Sequence, residues 1–154
     1  MKKFLSITFL SCSLIGAASI AVPAQRSPQP AVDRDPLLEA DAKHNLDVAR
    51  QGFGPLRKAY KQVIYRFEET YAAYPEFSKM DEFLYLAGMS SYYLSENKGK
   101  QKVDFKNDKE KEKFAPDKLR KDAINYLTEV VEKYPQSTFA ADAKKTLDEL
   151  KAST

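Results

Sequence analysis

Two stretches of the chain end in the same way: residues 63–78 read VIYRFEETYAAYPEFS, and residues 123–137 read AINYLTEVVEKYPQS. In each, an amphipathic segment ends at a tyrosine, a proline follows, and a serine stands within the next three residues. Matching side chains precede the two prolines at equal distances, in the pairs Val63 and Ala123, Phe67 and Leu127, and Thr70 and Val130. Because proline cannot continue a helix, each stretch predicts a helix end, a turn and a new helix, with Ser78 and Ser137 as N-caps.

The same 3.6-residue periodicity predicts five helices in the chain. They cover residues 36–50, 56–73, 79–95, 116–133 and 138–152. Asp35 precedes Pro36 and is placed to cap the first helix. After residue 24 only four glycines remain, and no segment alternates β-branched residues. The predicted fold class is therefore all-α, with antiparallel helical hairpins stacked as a short solenoid of about five helices.

Small residues in the third helix predict close contact with a neighbouring helix. Ala87, Gly88 and Ser91 lie on one face of it. A glycine inside a helix costs about 0.5–1 kcal/mol relative to alanine, and tight packing is the expected compensation.

The repeated pattern resembles the tetratricopeptide repeat family. Ala123, Leu127 and Pro135 match the second half of its signature, and Ala87-Gly88 with Tyr92 match the first half loosely. The two prolines lie 60 residues apart, whereas the repeat period is 34. An insertion is therefore expected at residues 98–115.

More narrowly, residues 35–151 resemble the family of the outer-membrane assembly factor BamD. The Tyr-Pro turns and the run LAGMSSYY at residues 86–93 carry this resemblance. It implies a helical-repeat protein on the periplasmic face of the outer membrane that helps to insert β-barrel proteins. The chain is much shorter than BamD, with about half of its repeats.

Residues 1–24 have the anatomy of a cleaved signal peptide: a basic start, an uncharged stretch and a small residue at Ala24. A membrane anchor is the alternative, but serine, threonine and glycine dilute the stretch. The only cysteine, Cys12, lies within this segment, and its lipidation is the less favoured interpretation. Residues 25–35 are predicted to be a flexible leader and residues 36–152 the repeat domain. The predicted location is the periplasm or cell envelope.

Charge and composition argue against catalysis and nucleic-acid binding. Without residues 1–24 the chain has 23 basic and 22 acidic residues, a net charge of +1. Nucleic-acid-binding domains typically carry a much larger positive charge. The single histidine, His44, is interpreted as a surface residue, because metal sites need several ligands. We therefore predict no catalytic residues, no metal and no cofactor.

The insertion is the first candidate binding element. Residues 98–113 hold seven lysines against four acidic residues, and its candidate binding residues are Lys98, Lys100, Lys102 and Lys106. One interpretation is an electrostatic arm for an acidic partner or anionic head groups. The favoured interpretation is a solvated, mobile loop with a short helix at residues 108–114, since exposed charge pairs contribute little.

The second candidate is a stripe on the third helix, formed by Glu82, Tyr85, Met89 and Tyr92. In a resembling repeat this side lines the concave groove, where tyrosine and methionine suit protein binding. The alternative is that these side chains are buried against the insertion or the first helix.

The predicted function is that of a non-enzymatic periplasmic scaffold for protein–protein interaction, resembling a minimal BamD-like assembly module. Its expected partners are envelope proteins, β-barrel assembly components among them, with peripheral outer-membrane association. A tetratricopeptide-type adaptor of cell-wall or division machinery is the alternative. A small hydrolase is disfavoured, because the chain lacks a nucleophile and base constellation.

Overall fold

The computed structural model describes residues 34–152, and these form six helices without a strand. The helices are α1 Pro36–Phe53, α2 Tyr60–Ala73, α3 Met80–Ser95, α4 Asp108–Lys113, α5 Pro116–Lys133 and α6 Ala140–Ala152. The all-α prediction is confirmed. The predicted signal peptide at residues 1–24 with Cys12, and the leader up to residue 33, lie outside the described residues. No helix within residues 34–152 has the length and apolar character needed to cross a membrane.

Helix α1 begins as predicted and α2 begins later. The Asp35 carboxylate accepts hydrogen bonds from the Leu37 and Leu38 amides at 2.8 and 3.3 Å. Residues 54–58 form a turn in which the Lys58 amide donates to the Gly54 carbonyl at 3.0 Å. Lys58 has a left-handed backbone with φ 45°, so the helix cannot include it. The predicted start at residue 56 is therefore wrong, and Leu56 is 85% exposed.

The two Tyr-Pro turns share one hydrogen-bond pattern. The Tyr74 amide donates to the Thr70 carbonyl at 2.7 Å, and the Tyr134 amide donates to the Val130 carbonyl at 3.0 Å. Three residues after each tyrosine, a backbone amide donates to the carbonyl of that tyrosine: Phe77 to Tyr74 and Ser137 to Tyr134. Ser137 thus corresponds to Phe77.

The predicted Ser78 cap is therefore wrong. Helix α3 follows Lys79 without a side-chain cap, and the Ser78 amide instead donates to the Glu39 carboxylate at 3.3 Å. The Ser137 hydroxyl does accept from the Phe139 amide at 3.2 Å. Helix α6 nevertheless begins at Ala140, two residues later than predicted.

Five of the six helices pack as two antiparallel pairs and one further helix. Helix α1 pairs with α2, α3 pairs with α5, α3 also contacts α1 and α2, and α6 lies against α5. This is a tetratricopeptide-like arrangement with α3 at its centre. Most of α3 is therefore buried, including Phe83, Leu84, Leu86 and Ala87.

Gly88 marks the closest approach of α3 and α5. A Cβ built on Gly88 would lie 2.8 Å from Cγ and 2.9 Å from Cδ2 of Leu127, a separation that real Cβ atoms do not show. Ala87 and Ser91 are completely buried on the same helix. The close contact predicted from these small residues is confirmed.

A second apolar cluster joins the insertion to the helices. Its buried members are Tyr60, Ile64, Leu94, Phe114 and Leu119, with Val103 packed against them. The insertion contributes Phe114, which is 1% exposed. The short helix predicted at residues 108–114 is confirmed as α4, which has no buried residue. The expectation of a solvated segment is wrong for Phe114, which follows this helix and is buried.

Candidate binding surfaces

Helices α1 and α3 are linked by an ion pair that involves one predicted site residue. The Arg50 guanidinium donates to both Glu82 carboxylate oxygens at 2.6 and 2.5 Å, and to the Asp47 carboxylate at 2.7 Å. The hydrogen bonds to Glu82 raise the pKa of Arg50 above its usual value. Such a bidentate pair fixes the orientation of both side chains.

Tyr85 lies where α3 meets the start of α6. Its ring stacks on Phe139 with centroids 5.0 Å apart and planes 26° apart. Burial raises the pKa of the Tyr85 phenol, and the nearby Asp142 charge adds to this. One turn earlier, Asp81 accepts a hydrogen bond from the Ser137 hydroxyl at 2.6 Å. These contacts hold the start of α6 against α3.

The other two predicted residues differ in exposure. Met89 is only 7% exposed and belongs to the main core, so its side chain offers a partner almost no contact area. Tyr92 is half-buried, and the Lys98 ammonium lies 5.5 Å from its ring centroid. Glu82, Tyr85 and Tyr92 thus lie along one side of α3, and their binding of a partner stays a prediction.

An aromatic cleft at the end of α3 was not foreseen. The rings of Tyr60 and Tyr93 lie 5.3 Å apart, and those of Phe53 and Tyr93 lie 6.1 Å apart. Together with Pro55, Lys58 and Lys98 they line a cleft of about 490 Å³. The sequence signal was the Tyr92-Tyr93 pair and Phe53 between two glycines, but only the fold brings them together.

The insertion is fastened to α2 by polar contacts. The Lys61 ammonium donates to the Glu110 carboxylate at 2.8 and 3.0 Å and to the Lys102 carbonyl at 3.0 Å. The Asp104 amide donates to the same carboxylate at 2.9 Å. The Lys61 hydrogen bond, followed by that of Asp104, lowers the pKa of Glu110.

The C-terminal end of the insertion also contacts α2. The Phe114 ring meets the Tyr65 ring edge-on at 5.6 Å. The Lys113 ammonium lies 4.2 Å from the Tyr65 centroid and pairs with Glu68. The insertion is thus a segment packed on α2, and the predicted mobile loop is corrected.

Three of the four predicted lysines of the insertion, Lys98, Lys100 and Lys102, make contacts through their side chains, and Lys106 makes one through its backbone amide. The Lys100 ammonium donates to the Leu56 carbonyl at 2.7 Å, and that of Lys102 donates to the Asn97 side chain at 3.3 Å. Lys98 lies over the tyrosine rings, and the Lys106 amide donates to Asp104 at 3.0 Å. The four side chains are exposed, and all belong to the first half of the insertion.

His44 is exposed on α1. Within residues 34–152, no three histidine, cysteine, aspartate or glutamate side chains are grouped as a metal site. The perturbed pKa values of Arg50 and Tyr85 arise from the ion pair between α1 and α3 and from burial, respectively.

Comparison with known proteins identifies the family. Residues 39–153 match the family YfiO, described as outer membrane lipoprotein. No curated protein and no solved structure matches the chain significantly. The family match spans well over half of the chain, and its description points to the cell envelope. The chain therefore belongs to the YfiO family of outer membrane lipoproteins, as a BamD-like relative with tetratricopeptide-like helices.

Proposed function

We propose that this chain is a non-enzymatic scaffold that binds envelope proteins in the periplasm after cleavage of residues 1–24. Membership of an outer membrane lipoprotein family supports an envelope role. The resemblance to BamD makes β-barrel assembly components the first partners to examine. Peripheral association with the outer membrane belongs to the same proposal.

The side of α3 that carries Glu82, Tyr85 and Tyr92 is the proposed binding surface. Two half-buried tyrosines lie there beside the Arg50–Glu82 pair. Tyrosine and arginine are enriched among the residues that dominate binding energy at protein interfaces. Because Arg50 and Tyr85 are already fixed by Glu82 and Phe139, a partner would lose little side-chain entropy in binding them. This preorganisation is the observation that carries the proposal.

The test is capture of partners from an envelope extract by the purified chain, followed by mass spectrometry. A variant with Tyr85→Ala and Tyr92→Ala keeps the buried Met89, whose loss would disturb the core. The matched control is Leu37→Ala, a large apolar side chain that is 77% exposed on α1. Circular dichroism first establishes that each variant is folded.

The expected result is loss of the captured proteins with the double variant and their retention with Leu37→Ala. A folded double variant that captures the same proteins as the unmodified chain would overturn the proposed surface. The captured proteins also separate the two functional interpretations. Barrel-assembly components support the BamD-like role, whereas cell-wall or division enzymes support the adaptor role.

A further inference from the structure

Two exposed segments meet at the end of the domain where α1 and α3 finish. The Lys100 amide donates to the Lys58 carbonyl at 3.0 Å, and the Lys100 ammonium donates to the Leu56 carbonyl at 2.7 Å. Gly99 is buried at this junction, where a Cβ would lie 3.1 Å from the Tyr60 ring. Residues 54–58 and 97–106 thus form one fixed surface, named here the basic turn face.

The basic turn face is strongly cationic. Its exposed basic residues are Arg57, Lys58, Lys98, Lys100, Lys102 and Lys106, against a single acidic residue, Asp104, for a net charge of +5. Elsewhere in residues 34–152 basic side chains form nine ion pairs, and none of these pairs involves the six. The nearby carboxylates of Glu96 and Glu110 are taken by Arg120 and Lys61. The positive charge is therefore not compensated within the described residues.

Two large apolar side chains belong to the two segments of the basic turn face. Leu56 is 85% exposed and Phe105 is 61% exposed. Phe105 also borders an open cleft of about 400 Å³ whose other lining residues are Asp108, Lys111, Glu112, Ala115 and Pro116. Exposed apolar side chains thus accompany lysines that form no ion pair. This combination suits a membrane interface, because cations attract anionic head groups and apolar side chains enter the boundary below the head groups.

We propose that the basic turn face docks on anionic phospholipid bilayers, with Leu56 and Phe105 inserted among the head groups. The six cations are spread over two turns, which suits a broad anionic plane better than one carboxylate. Hydrogen bonds between the two turns hold Lys100 against Leu56 and Lys58. This contact rests on the proposed peripheral association with the outer membrane and names the surface that would make it. Because it requires only the chain and lipid, its test is independent of the proposed binding of envelope proteins.

The chain contains no tryptophan, so one introduced tryptophan reports its own surroundings. Phe105→Trp places this reporter on the basic turn face. Leu37→Trp is the matched control, since Leu37 is 77% exposed at the opposite end of α1. The full chain carrying either substitution is mixed with vesicles of phosphatidylglycerol and phosphatidylcholine, or of phosphatidylcholine alone.

The expected result is a blue-shifted emission and quenching by brominated lipid for Phe105→Trp with anionic vesicles only. Leu37→Trp should show neither effect, which separates this contact from insertion of the N-terminal segment. An unchanged Phe105→Trp spectrum, or an equal shift with phosphatidylcholine alone, would overturn the proposal. So would an equal shift with polyglutamate, which would indicate an acidic protein as the partner.

A charge variant tests the cations in the Phe105→Trp background. Arg57→Gln, Lys58→Gln and Lys106→Gln together should weaken vesicle binding about 100-fold, or about 3 kcal/mol, at about 1 kcal/mol per cation. The control with equal net charge carries Lys43→Gln, Lys79→Gln and Lys121→Gln, three exposed lysines elsewhere. Equal weakening by both triple variants would show a net-charge effect and overturn the assigned surface.

Discussion

Replacing Gly88 by alanine tests the contact between α3 and α5 with a single methyl group. The added Cβ would meet Cγ of Leu127 at 2.8 Å. Leu127 is completely buried, and Cγ is the branch point of its side chain rather than a flexible end. Either the leucine must leave its rotamer or the two helices must separate.

The expected effect is the difference between two opposing terms. Alanine is the better helix former by about 1 kcal/mol, whereas overpacking a tight core costs about 1–3 kcal/mol. The net loss of unfolding free energy should therefore be about 0–2 kcal/mol for Gly88→Ala. For Gly88→Leu it should be larger, because three further carbon atoms must be placed in a filled core.

Gly54→Ala is the matched control. A Cβ on Gly54 would lie 3.5 Å from its nearest neighbour, the Gln51 carbonyl oxygen, and its φ of −51° suits alanine. This substitution should stabilise the chain by about 0.4–1 kcal/mol through the unfolded state.

Urea unfolding followed by circular dichroism measures these differences, and a double-mutant cycle with Leu127→Ala assigns their cause. Leu127→Ala alone should cost about 2–5 kcal/mol. In the double variant the methyl group added at position 88 replaces part of the lost volume, so the combined loss should fall short of the sum by about 1–2 kcal/mol. Additive losses, or a Gly88→Ala variant as stable as Gly54→Ala, would refute the close-contact reasoning.

Three further predictions concern pH, the insertion and processing. Burial, followed by the charges of nearby carboxylates, raises the pKa of Tyr126 from 10.0 to about 12. Between these values the unfolded chain releases the phenolic proton and the folded chain keeps it, so stability should fall as pH rises; Tyr126→Phe should show a smaller fall in alkaline urea titrations. Phe114→Ala should release the insertion and speed its amide hydrogen exchange, whereas Phe105→Ala should not, because only Phe114 is buried. Mass spectrometry of the exported protein should find Gln25 at the N-terminus, and a start at Met1 or a lipid-modified Cys12 would contradict this.

The helix bounds were predictable where the sequence carries an unambiguous stop or start. Helix α5 runs from Pro116 to Lys133 as predicted, because a proline opens it and a Tyr-Pro turn ends it. The start of α2 was missed because Leu56 continues the apolar period of that helix. The left-handed backbone of Lys58 gives no signal in its residue type.

The candidate surfaces were harder to predict, since they depend on contacts between distant segments. The charged composition of residues 98–113 indicated a solvated loop, but Phe114 packs on α2, far away in sequence. The sequence left open whether the stripe on α3 binds a partner or is buried. In this fold α1, α2 and α5 all contact α3, and Met89 is buried.

The packing of Phe114 limits how the insertion at residues 98–115 can be shortened. Tyr60, Ile64, Leu94 and Leu119 share one apolar cluster with it. A variant that joins α3 directly to α5 would expose these side chains and create an apolar surface patch that favours self-association. The segment therefore acts as a cover for the helices beneath it. Any shorter linker that keeps the chain soluble must supply a large apolar side chain in its place.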